Sequence, residues 1–445
     1  GEHGPGNDGQ LRQLVDECFN AIERARCAQR ELHGTDTAGK QRASGGKRLP
    51  RIVNDENGND RVLMEERAQF LTHGDSIRHG FLRLRDITIA AACVVGYLEQ
   101  MRILVLGGTQ FVGRNIVEQL LEAGHEVTLF NRGRTGPDLF PDLEHLVGDR
   151  NADLSALEAT VADRAAAGRS FDACVDVSGF TLSQMERSLD ALAEHVARYL
   201  FISSVSVYRA PVPPDFDESA PVEQISDRYA ELTPETYGSL KVVCEEELRA
   251  RMGGRALVFR PGLVNGPYDH TDRATYWSVR ARRGGEVFVP AAPETPFQVI
   301  DARDIGQAAA YALERGMSGV FNMVNEPTTW QEWLETTRRV PVAGSEEPPR
   351  PAYVWADDQA WVEQQAAQLQ DTRPRGALPM YLPAEHGWNF WRVSNQQARS
   401  AGIRFRPYEE TIHDTLDWRL RRGEDLEAGL TPEQEQALVT AWKKR

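Results

Sequence analysis

The chain has 445 residues, of which 41% are hydrophobic, and its formal net charge is −15. This length allows one large α/β domain with additions, or two to three smaller domains. The acidic balance disfavours a nucleic-acid partner, because nucleic-acid-binding proteins need a basic face to replace the counterions on phosphate.

Cysteine usage and apolar runs predict the compartment. No cysteine belongs to a CxxC pair or a Cys/His cluster, which indicates a reducing compartment and no metal site. The longest apolar run, residues 87–98, is too short to span a bilayer. The polar start GEHGPGNDGQ lacks the apolar segment of a signal peptide. We therefore expect a cytoplasmic protein with no membrane partner.

Residues 1–100 are expected to form an N-terminal extension that is partly helical or weakly ordered. The stretch LRQLVDECFNAIERA, which starts at Leu11, places apolar residues on one helical face. GTDTAGKQRASGGKRLP has the composition of a linker. Met101 then opens a different pattern, so a chain that begins there is expected to fold and to bind a cofactor.

From Met101 to about residue 265, short apolar runs alternate with amphipathic segments. The predicted strands are MRILVLGG, HEVTLFNR, HLVGD, FDACVDVSG, RYLFISSVSVY and RALVFRPGLV, and the predicted helices include RNIVEQLLEAG, LSQMERSLDALAEHVA and YGSLKVVCEEELRARMGG. Buried strands that alternate with helices predict an α/β fold with a doubly wound parallel sheet, that is, a Rossmann-like domain over 101–265.

The segment 266–445 is irregular, rich in proline, and carries all nine tryptophans of the chain. We interpret it mainly as a smaller C-terminal lobe that faces the substrate and has an aromatic core. Near its end, Thr431, Pro432 and Gln434 have the pattern of an N-cap, a first helical position and a capping-box partner. A structural helix is therefore predicted there.

VLGGTQFVGR, after the first strand, is typical of a glycine-rich dinucleotide loop. Gly107 would permit a tight turn, and Gly113 would let the next helix pack close to the sheet, with its N-terminus facing a pyrophosphate. Gln110 stands where a small residue normally lets the backbone approach phosphate. Because Gly108 and Thr109 keep the loop slim, and an outward Gln110 amide could donate to phosphate, a dinucleotide site is still expected.

The residues after the second and third strands bear on cofactor choice. An NAD site places an acid after the second strand, whereas this chain has Asn131, Arg132 and Arg134 there. Either arginine could bind a 2′-phosphate, so NADP is favoured and NAD stays open. The alternative is that both arginines are solvated loop residues. Asp149 is placed to accept a hydrogen bond from adenine or, alternatively, to cap a helix or turn.

Tyr237 and Lys241 are four residues apart and lie on one face of a predicted helix. A free phenol has a pKa near 10, and a neighbouring ammonium stabilises its phenolate, which allows acid–base catalysis at neutral pH. Ser204, at the end of the fifth strand, is placed to hydrogen-bond a substrate oxygen. A YxxxK pair alone also occurs on ordinary surface helices, but the loop, the serine and the pair in this order favour a catalytic site.

From Met101 to about residue 420 the chain resembles the short-chain dehydrogenase/reductase superfamily, in the extended or atypical branch that includes the NAD-dependent epimerase/dehydratase proteins. The motifs that carry the resemblance are GGTQFVG, SSVSVY, YGSLK, RPGLVNGP and VIDARDIG. Extended members generally have GxxGxxG, whereas GGTxFxG loops occur in atypical members. Some of those resemble chloroplast RNA-binding proteins of the superfamily.

The resemblance implies a role for individual residues. Tyr237 would be the acid–base residue, Lys241 would bind the nicotinamide ribose, and Ser204 would polarise the substrate carbonyl. Asp301 and Asp304 would be structural. The residues implied to line the cofactor, beyond those already named, are Phe111 and Val112 in the loop, Val177 and Ser178 after the fourth strand, and Pro261, Gly262 and Val264 beside the nicotinamide.

Substrate candidates lie in GPYDHTDRATYW, which follows the strand that ends beside the implied cofactor. Arg273 could bind a phosphate or carboxylate, Tyr276 could stack on a ring, and His270 is a further candidate contact. Structural roles stay open for each, because Thr271 as an N-cap would put Arg273 in the first helical turn. No GxSxG, HExxH or P-loop motif is present, so hydrolase and kinase functions have no support.

Three functions follow. The first is an NAD(P)-dependent oxidoreductase that acts on a small carbonyl or alcohol, with Tyr237 moving the proton. The second is a nucleotide-sugar epimerase or dehydratase. The third is a non-catalytic dinucleotide-binding or RNA-binding regulatory protein, which the net charge and the serine, tyrosine and lysine disfavour. A small molecule is the expected partner, and a homodimer through helices of the main domain stays open.

Overall fold

The computed structural model describes residues 52–54, 60–62, 100–342, 348–369, 373–382, 387–423 and 425–445. The chain divides into two compact units, Gly1–Glu99 and Gln100–Arg445. In the first unit, β1 (Ile52–Asn54) pairs with β2 (Asp60–Val62) in antiparallel orientation. The helix predicted from Leu11 lies outside the described residues.

The second unit is built on a seven-stranded sheet in the order β13-β8-β7-β6-β3-β4-β5, and every neighbouring pair is parallel. The strands are β3 (Arg102–Leu106), β4 (Glu126–Asn131), β5 (Glu144–Val147), β6 (Phe171–Asp176), β7 (Val196–Ile202), β8 (Ala256–Pro261) and β13 (Gly319–Met323). The strand order reverses between β3 and β6. The predicted doubly wound parallel sheet is confirmed, and this reversal opens a crevice at the carboxyl edge where ligands bind in such sheets.

Helices cover both faces of the sheet and continue into the C-terminal part of the chain. They are α1 (Phe111–Glu122), α2 (Ser155–Ala166), α3 (Leu182–Leu192), α4 (Tyr237–Met252), α5 (Arg273–Arg282), α6 (Ala302–Glu314), α7 (Trp330–Arg339), α8 (Gln359–Ala366), α9 (Gln396–Ser400), α10 (Tyr408–Arg422) and α11 (Pro432–Lys443). The remaining short strands are β9 (Val264–Asn265), β10 (Gly285–Val289), β11 (Pro296–Phe297), β12 (Ile300–Asp301), β14 (Thr328–Thr329) and β15 (Pro351–Trp355).

The alternation of side chains along β3 divides the core into two layers. Ile103 and Val105 point to one face, where α1 and α6 pack. Leu104 and Leu106 point to the other face, which α2, α3 and α4 cover. Successive residues of a strand face opposite sides, so a strand that is buried on both sides must be apolar throughout. This explains the uninterrupted run RILVL.

The residues after 265 form a third core, which is rich in aromatic side chains. Trp277 packs against Trp330 with a ring distance of 4.8 Å, and Phe297 lies 4.9 Å from Trp330 and 4.8 Å from Trp333. However, α6 and β13 lie between segments of this core in sequence but belong to the Rossmann-like part of the unit. Helix α6 packs on the main sheet, and β13 is one of its strands. The Rossmann-like sheet therefore includes residues well beyond 265, and the sequence analysis did not identify the strand β13.

The predicted helix near the C-terminus is confirmed as α11, together with its cap. The Thr431 hydroxyl accepts from Gln434 N at 3.2 Å, and Thr431 N donates to the Gln434 side chain at 2.9 Å, with Pro432 at the first helical position. In the described part of the chain, no helix combines the length and apolar character that crossing a bilayer requires.

Candidate dinucleotide and substrate site

Two adjoining cavities lie at the carboxyl edge of the sheet. The loop cavity, of about 530 Å³, is lined by the turn after β3 and by the residues that follow β4, β5 and β6. The tyrosine cavity, of about 520 Å³, is lined by the ends of β7 and β8, the start of α4 and residues near 390. Val112, Val177 and Phe180 line both cavities, so the two cavities adjoin.

Most predicted cofactor residues line one of these cavities. Those at the loop cavity are Gly107, Gly108, Thr109, Gln110, Phe111, Val112, Gly113, Asn131, Arg132, Arg134, Asp149, Val177 and Ser178. Those at the tyrosine cavity are Val112, Val177, Tyr237, Lys241, Pro261, Gly262 and Val264, together with the predicted catalytic Ser204.

The turn after β3 needs its glycines. Gly107 has φ +111° and Gly108 has φ +96°, a region that other residues rarely adopt. A Cβ on Gly113 would lie 2.8 Å from the backbone nitrogen of Gly108, so only glycine lets α1 approach the turn this closely. The helix N-terminus therefore lies directly at the loop cavity, and α1 has no acidic residue in its first turn. Such an end is suited to an anion.

Gln110 does not fill the turn. It is exposed, occupies the N-cap position of α1 in an extended conformation, and its side chain makes no capping hydrogen bond. The next residue, Phe111, is buried with φ +35°, which is a strained conformation for a side chain of this size. The centres of the Phe111 and His270 rings lie 6.2 Å apart, and the two rings are nearly perpendicular.

Asn131 is the last residue of β4, and only the oxygen of its side-chain amide has a hydrogen-bond partner. Its Oδ1 accepts a hydrogen bond from Gly133 N at 2.8 Å. Its Nδ2 is buried and has no partner among the described residues. Arg132 and Arg134 are exposed beside it at the cavity rim. The residues that follow β4 in this cavity thus offer donors, and none of them is a carboxylate.

Asp149 also lines the loop cavity, but its Oδ1 is used locally. Oδ1 accepts from Asn151 N at 2.9 Å and from Asn151 Nδ2 at 3.1 Å. This turn bond lowers the pKa of Asp149, and the charges of Arg132 and Arg134 lower it further. The turn-capping alternative therefore describes the observed contacts of this carboxylate.

A buried ion pair, which the sequence analysis did not predict, supports the loop cavity from below. Arg150 donates to the two oxygens of Asp176 at 2.7 and 2.9 Å, and Asp176 also accepts from Ser178 N at 3.0 Å. Burial alone would raise the pKa of Asp176, but the charge of Arg150 holds it below its ordinary value. The pair fixes the chain where β6 ends, and no local spacing could have revealed it.

Lys241 is buried beside Tyr237, at 1% exposure. Its Nζ donates to the carbonyls of Gly179 at 2.7 Å and Ile202 at 2.9 Å, and lies 5.9 Å from the centre of the Tyr237 ring. An ammonium has three donors. The contacts within the described residues use two of them, which leaves one N–H for a ligand at the tyrosine cavity.

Ser204 caps a short 3₁₀ turn over Val205–Val207. Its Oγ accepts from Ser206 N and donates to Ser206 Oγ, both at 3.1 Å, and Ser206 also lines the tyrosine cavity. A Cβ on Gly238 would lie 2.1 Å from the Ser206 carbonyl oxygen, so only glycine allows the first turn of α4 to pack on this loop. Gly238 thereby lets the start of α4, which carries Tyr237, lie against the loop that carries Ser204 and Ser206. The sequence analysis missed both Ser206 and Gly238, although each lies inside a motif it identified.

A buried hydrogen-bond network connects the elements that carry Ser204 and Tyr237. Glu245, one turn after Lys241, accepts from Ser203 Oγ at 2.6 Å and from two nitrogens of Arg260 at 3.0 and 2.6 Å. Arg260 also donates to the Tyr208 hydroxyl at 3.0 Å. The network joins the ends of β7 and β8 to α4, so it holds the serine loop and the tyrosine helix in register.

The three substrate candidates have different surroundings. His270 lines the loop cavity and Arg273 lines the tyrosine cavity. Tyr276 lines neither, because it lies one turn further along α5, at 1% exposure inside the aromatic core, with its ring 4.9 Å from Trp277. These contacts match the structural role that the sequence analysis left open for Tyr276. In the part of the chain that the structure describes, no group of three His, Cys, Asp or Glu side chains is arranged to hold a metal ion.

The two aspartates that the resemblance marks as structural make structural contacts. Asp301 caps α6 by accepting from Arg303 N at 2.8 Å. Asp304 accepts from Arg406 N at 3.0 Å and from Arg406 Nε at 2.6 Å. They tie α6 to the segment before α10.

Comparison with known proteins gives a family and a fold. The sequence model of the NAD-dependent epimerase/dehydratase family matches residues 103–324. The chain is 25% identical over 251 residues to a chloroplast stem-loop binding protein of 41 kDa from Arabidopsis thaliana, and the match covers 53% of this chain and 61% of that protein. The chain thus spans less than two thirds of that relative's length.

A second relative and a solved structure complete the comparison. The chain is 25% identical over 264 residues to a 2′-dehydrokanamycin reductase from Streptomyces kanamyceticus, with 57% of this chain and 70% of that protein covered. The crystal structure of a UDP-glucose 4-epimerase from Thermotoga maritima superposes with a TM-score of 0.52 at 18% identity, and covers 73% of this chain and 100% of that chain. At this identity the likeness shows a shared fold.

Proposed function

The chain belongs, through residues 103–324, to the NAD-dependent epimerase/dehydratase family, and from this premise we propose an NAD(P)-dependent oxidoreductase of a small carbonyl or alcohol. The family's name describes enzymes, which supports the prediction that the chain is an enzyme. One observation carries the proposed reaction. Ser204, Tyr237 and Lys241 line a single cavity, which shares three lining residues with the cavity of the glycine turn.

The residues of the two cavities fit a nicotinamide dinucleotide. The turn at 107–113 presents a helix N-terminus without an acid, and Asn131 has a buried donor that needs an acceptor. We place the pyrophosphate at the turn and the adenosine ribose near Asn131. A bound nicotinamide supplies the hydride donor or acceptor for the substrate carbon.

The residues of the tyrosine cavity would manage the proton and the substrate oxygen. Tyr237 gives or takes the proton on the substrate oxygen, which the hydroxyls of Ser204 and Ser206 hold by hydrogen bonds. Lys241 is fixed by two carbonyls and uses its remaining N–H for a ribose hydroxyl. The carbonyls of Gly179 and Ile202 therefore hold the Lys241 amine in place, and this amine in turn positions the cofactor.

The donors at the end of β4 support NADP over NAD. A ribose without phosphate is usually bound by an acid at this position, which accepts from its hydroxyls. Asn131, Arg132 and Arg134 offer donors only toward this part of the cavity, and guanidinium groups match phosphate geometry. We therefore propose NADP as the preferred cofactor.

Substitution of Tyr237 by phenylalanine tests the proposed reaction. In an assay of NADPH oxidation with a panel of small carbonyl compounds, Tyr237→Phe is expected to lower kcat by roughly 10²- to 10⁴-fold, the usual contribution of a general acid. The Kd for NADPH should stay unchanged, because the phenol hydroxyl is not needed for binding.

Tyr229→Phe is the matched control, since Tyr229 is 62% exposed and lines neither cavity. It should keep full activity. If Tyr237→Phe retained the activity of the original protein with every substrate, Tyr237 would not be the acid–base residue. If the original protein bound NADPH but reduced no compound, the chain would instead be a non-catalytic dinucleotide-binding protein, and binding of a stem-loop RNA would then support the function that the Arabidopsis relative's name describes.

A nucleotide-sugar epimerase or dehydratase is the second candidate, because these are the activities by which the matched family is named. Conversion of a UDP- or dTDP-sugar without net change of the cofactor would establish it. Consumption of NADPH in proportion to a reduced carbonyl would establish the first candidate.

A further inference from the structure

Arg273 has an unusual environment in the tyrosine cavity. It is the first residue of α5, lines the cavity, and is mostly buried. Its Nε donates to Thr271 Oγ1 at 3.3 Å. Within the described residues, neither of its terminal nitrogens has a hydrogen-bond partner, and no carboxylate oxygen lies within 4 Å of the guanidinium.

The fully buried arginines of the described chain are all neutralised. Each contacts a carboxylate at 3.1 Å or less: Arg150 with Asp176, Arg260 with Glu245 and Arg419 with Asp272. A buried charge without a partner is costly, so a protein normally supplies one. Arg273 departs from this pattern at the wall of a cavity, where a ligand can supply the missing charge.

The two carboxylates closest to Arg273 in sequence are occupied elsewhere. Asp272 accepts from Arg419 Nε at 3.1 Å and from Glu427 N at 3.0 Å. Asp269 uses Oδ1 to accept from Thr271 N and Thr271 Oγ1, at 2.8 and 2.7 Å. Neither aspartate forms a direct ion pair with Arg273. Asp269 Oδ2 is buried without a hydrogen-bond partner, and its charge acts on the guanidinium only from a longer distance.

The neighbouring charges add to the positive potential. Burial lowers the pKa of Arg273, the charge of Asp269 opposes this change, and the charge of Arg375 adds to it. Arg375 and Arg273 also lower the pKa of His270, after the larger effect of its own desolvation, whereas Asp272 and Glu427 raise it. His270 and Arg273 line the loop cavity and the tyrosine cavity respectively, so an anion bound at Arg273 would lie in a region that also holds a second guanidinium.

Part of the wall of the tyrosine cavity is apolar. Leu263, Leu382, Phe390 and Trp391 line it, and Phe180 lines both cavities. These side chains gain from burial of an aromatic or alicyclic body. The cavity thus combines the hydroxyls and the amine described above with an apolar surface and a guanidinium that has no direct carboxylate contact.

We propose that the substrate carries an oxyanion on an aromatic or similarly apolar body, and that Arg273 binds this oxyanion. The oxyanion is a carboxylate or a phosphate. The proposal rests on the proposed function only in placing the substrate carbonyl or hydroxyl at Ser204 and Tyr237. Arg273 is then a specificity-determining residue, because it rejects neutral compounds of the same shape.

Binding of simple probes tests the proposal without any turnover. The full chain with NADPH is titrated with benzoate, phenyl phosphate and the neutral benzamide, and heats of binding give each Kd. Benzoate or phenyl phosphate should bind about 10-fold or more tightly than benzamide, the usual gain from a charged hydrogen bond. The tighter of the two anions identifies the oxyanion.

Variants of Arg273 assign the preference. Arg273→Gln should abolish the difference between the anions and benzamide, whereas Arg273→Lys should keep part of it. Arg283→Gln is the matched control, because Arg283 is exposed and lines neither cavity. Near-identical melting temperatures for the three variants and the original protein show that each is folded.

Turnover separates this proposal from the proposed function. With NADPH, kcat/KM for 4-formylbenzoate or 4-formylphenyl phosphate should exceed that for methyl 4-formylbenzoate by about 10-fold or more, and Arg273→Gln should remove the advantage through KM. Reduction of all three aldehydes without preference overturns the proposal and leaves the oxidoreductase intact.

Other outcomes also distinguish the oxyanion site from the proposed oxidoreductase function. Selective binding of the anions through Arg273, without reduction of any aldehyde, supports the oxyanion site and speaks against the oxidoreductase. Binding of neither anion, or a preference that survives in Arg273→Gln, overturns the oxyanion site.

Discussion

At the scale of single residues, we expect Asn131 to have the largest influence on whether NADP or NAD binds more tightly. Its Oδ1 is held by Gly133 N, and its Nδ2 is buried without a partner in the described structure. Asn131→Asp keeps the Gly133 bond and replaces the donor by a carboxylate oxygen, which repels a 2′-phosphate and accepts from ribose hydroxyls. We expect the Kd for NADPH to rise about 10-fold or more, while the Kd for NADH stays equal or falls.

Fluorescence titration with each cofactor measures this change. Gln331→Glu, which adds the same charge at an exposed site outside both cavities, should alter neither Kd. An equal weakening of both cofactors by Asn131→Asp would contradict the assigned role, since it would indicate a general disturbance of the cavity.

Asp269 makes stability depend on pH. Burial raises its pKa from the ordinary 3.8 to about 6, although hydrogen bonds from Thr271 oppose the rise. Between these values the folded protein holds a proton that the unfolded chain releases, so this group's contribution to stability falls as the pH rises through the window. Asp269→Asn removes the titration and keeps an oxygen for Thr271, so the variant should gain roughly 2–3 kcal/mol relative to the original protein above that window.

Urea unfolding of both proteins from about pH 4 to pH 7 measures the difference in free energy. The exposed Asp138→Asn should show a pH-independent difference from the original protein. A constant difference for Asp269→Asn as well would refute the raised pKa.

At the scale of elements, α4 and the serine loop meet at a contact that only glycine permits. A Cβ on Gly238 would lie 2.1 Å from the Ser206 carbonyl oxygen. Gly238→Ala should therefore displace Tyr237 from Ser204, lower kcat about 10-fold or more, and cost about 1–3 kcal/mol in stability, as overpacking does. Gly254→Ala, just beyond α4 where a Cβ meets no atom within 4 Å, is the control for kcat and unfolding free energy. An unchanged kcat in Gly238→Ala would show that the contact does not position the tyrosine.

The elements differ in how far the sequence could predict them. The glycine turn, the YxxxK pair and the α11 cap were predictable because each depends on residues only a few positions apart. The sequence left two roles open for Tyr276, because its distance from the cavity depends on the path of α5 into the aromatic core. Arg150 and Asp176 pair across 26 positions, and β13 joins the sheet by pairing with β8, a strand distant in sequence. Neither has a local signal.

At the scale of the whole molecule, we expect residues 101–445 to be sufficient for cofactor binding. All residues that line the two cavities belong to the unit Gln100–Arg445. A chain that begins at Met101 should therefore unfold cooperatively and bind NADPH with the Kd of the full chain. Loss of both folding and binding would contradict the proposed division at residue 100. Circular dichroism and fluorescence titration measure the two properties.

The wall of the tyrosine cavity comes from a different stretch of chain than its reacting groups. Ser204, Tyr237 and Lys241 sit on the sheet and its flanking helix, whereas Leu382, Phe390 and Trp391 belong to a segment outside the seven strands. Under the proposed function, exchange of the late segment for that of a relative should therefore alter selectivity while leaving in place the groups proposed to move the proton.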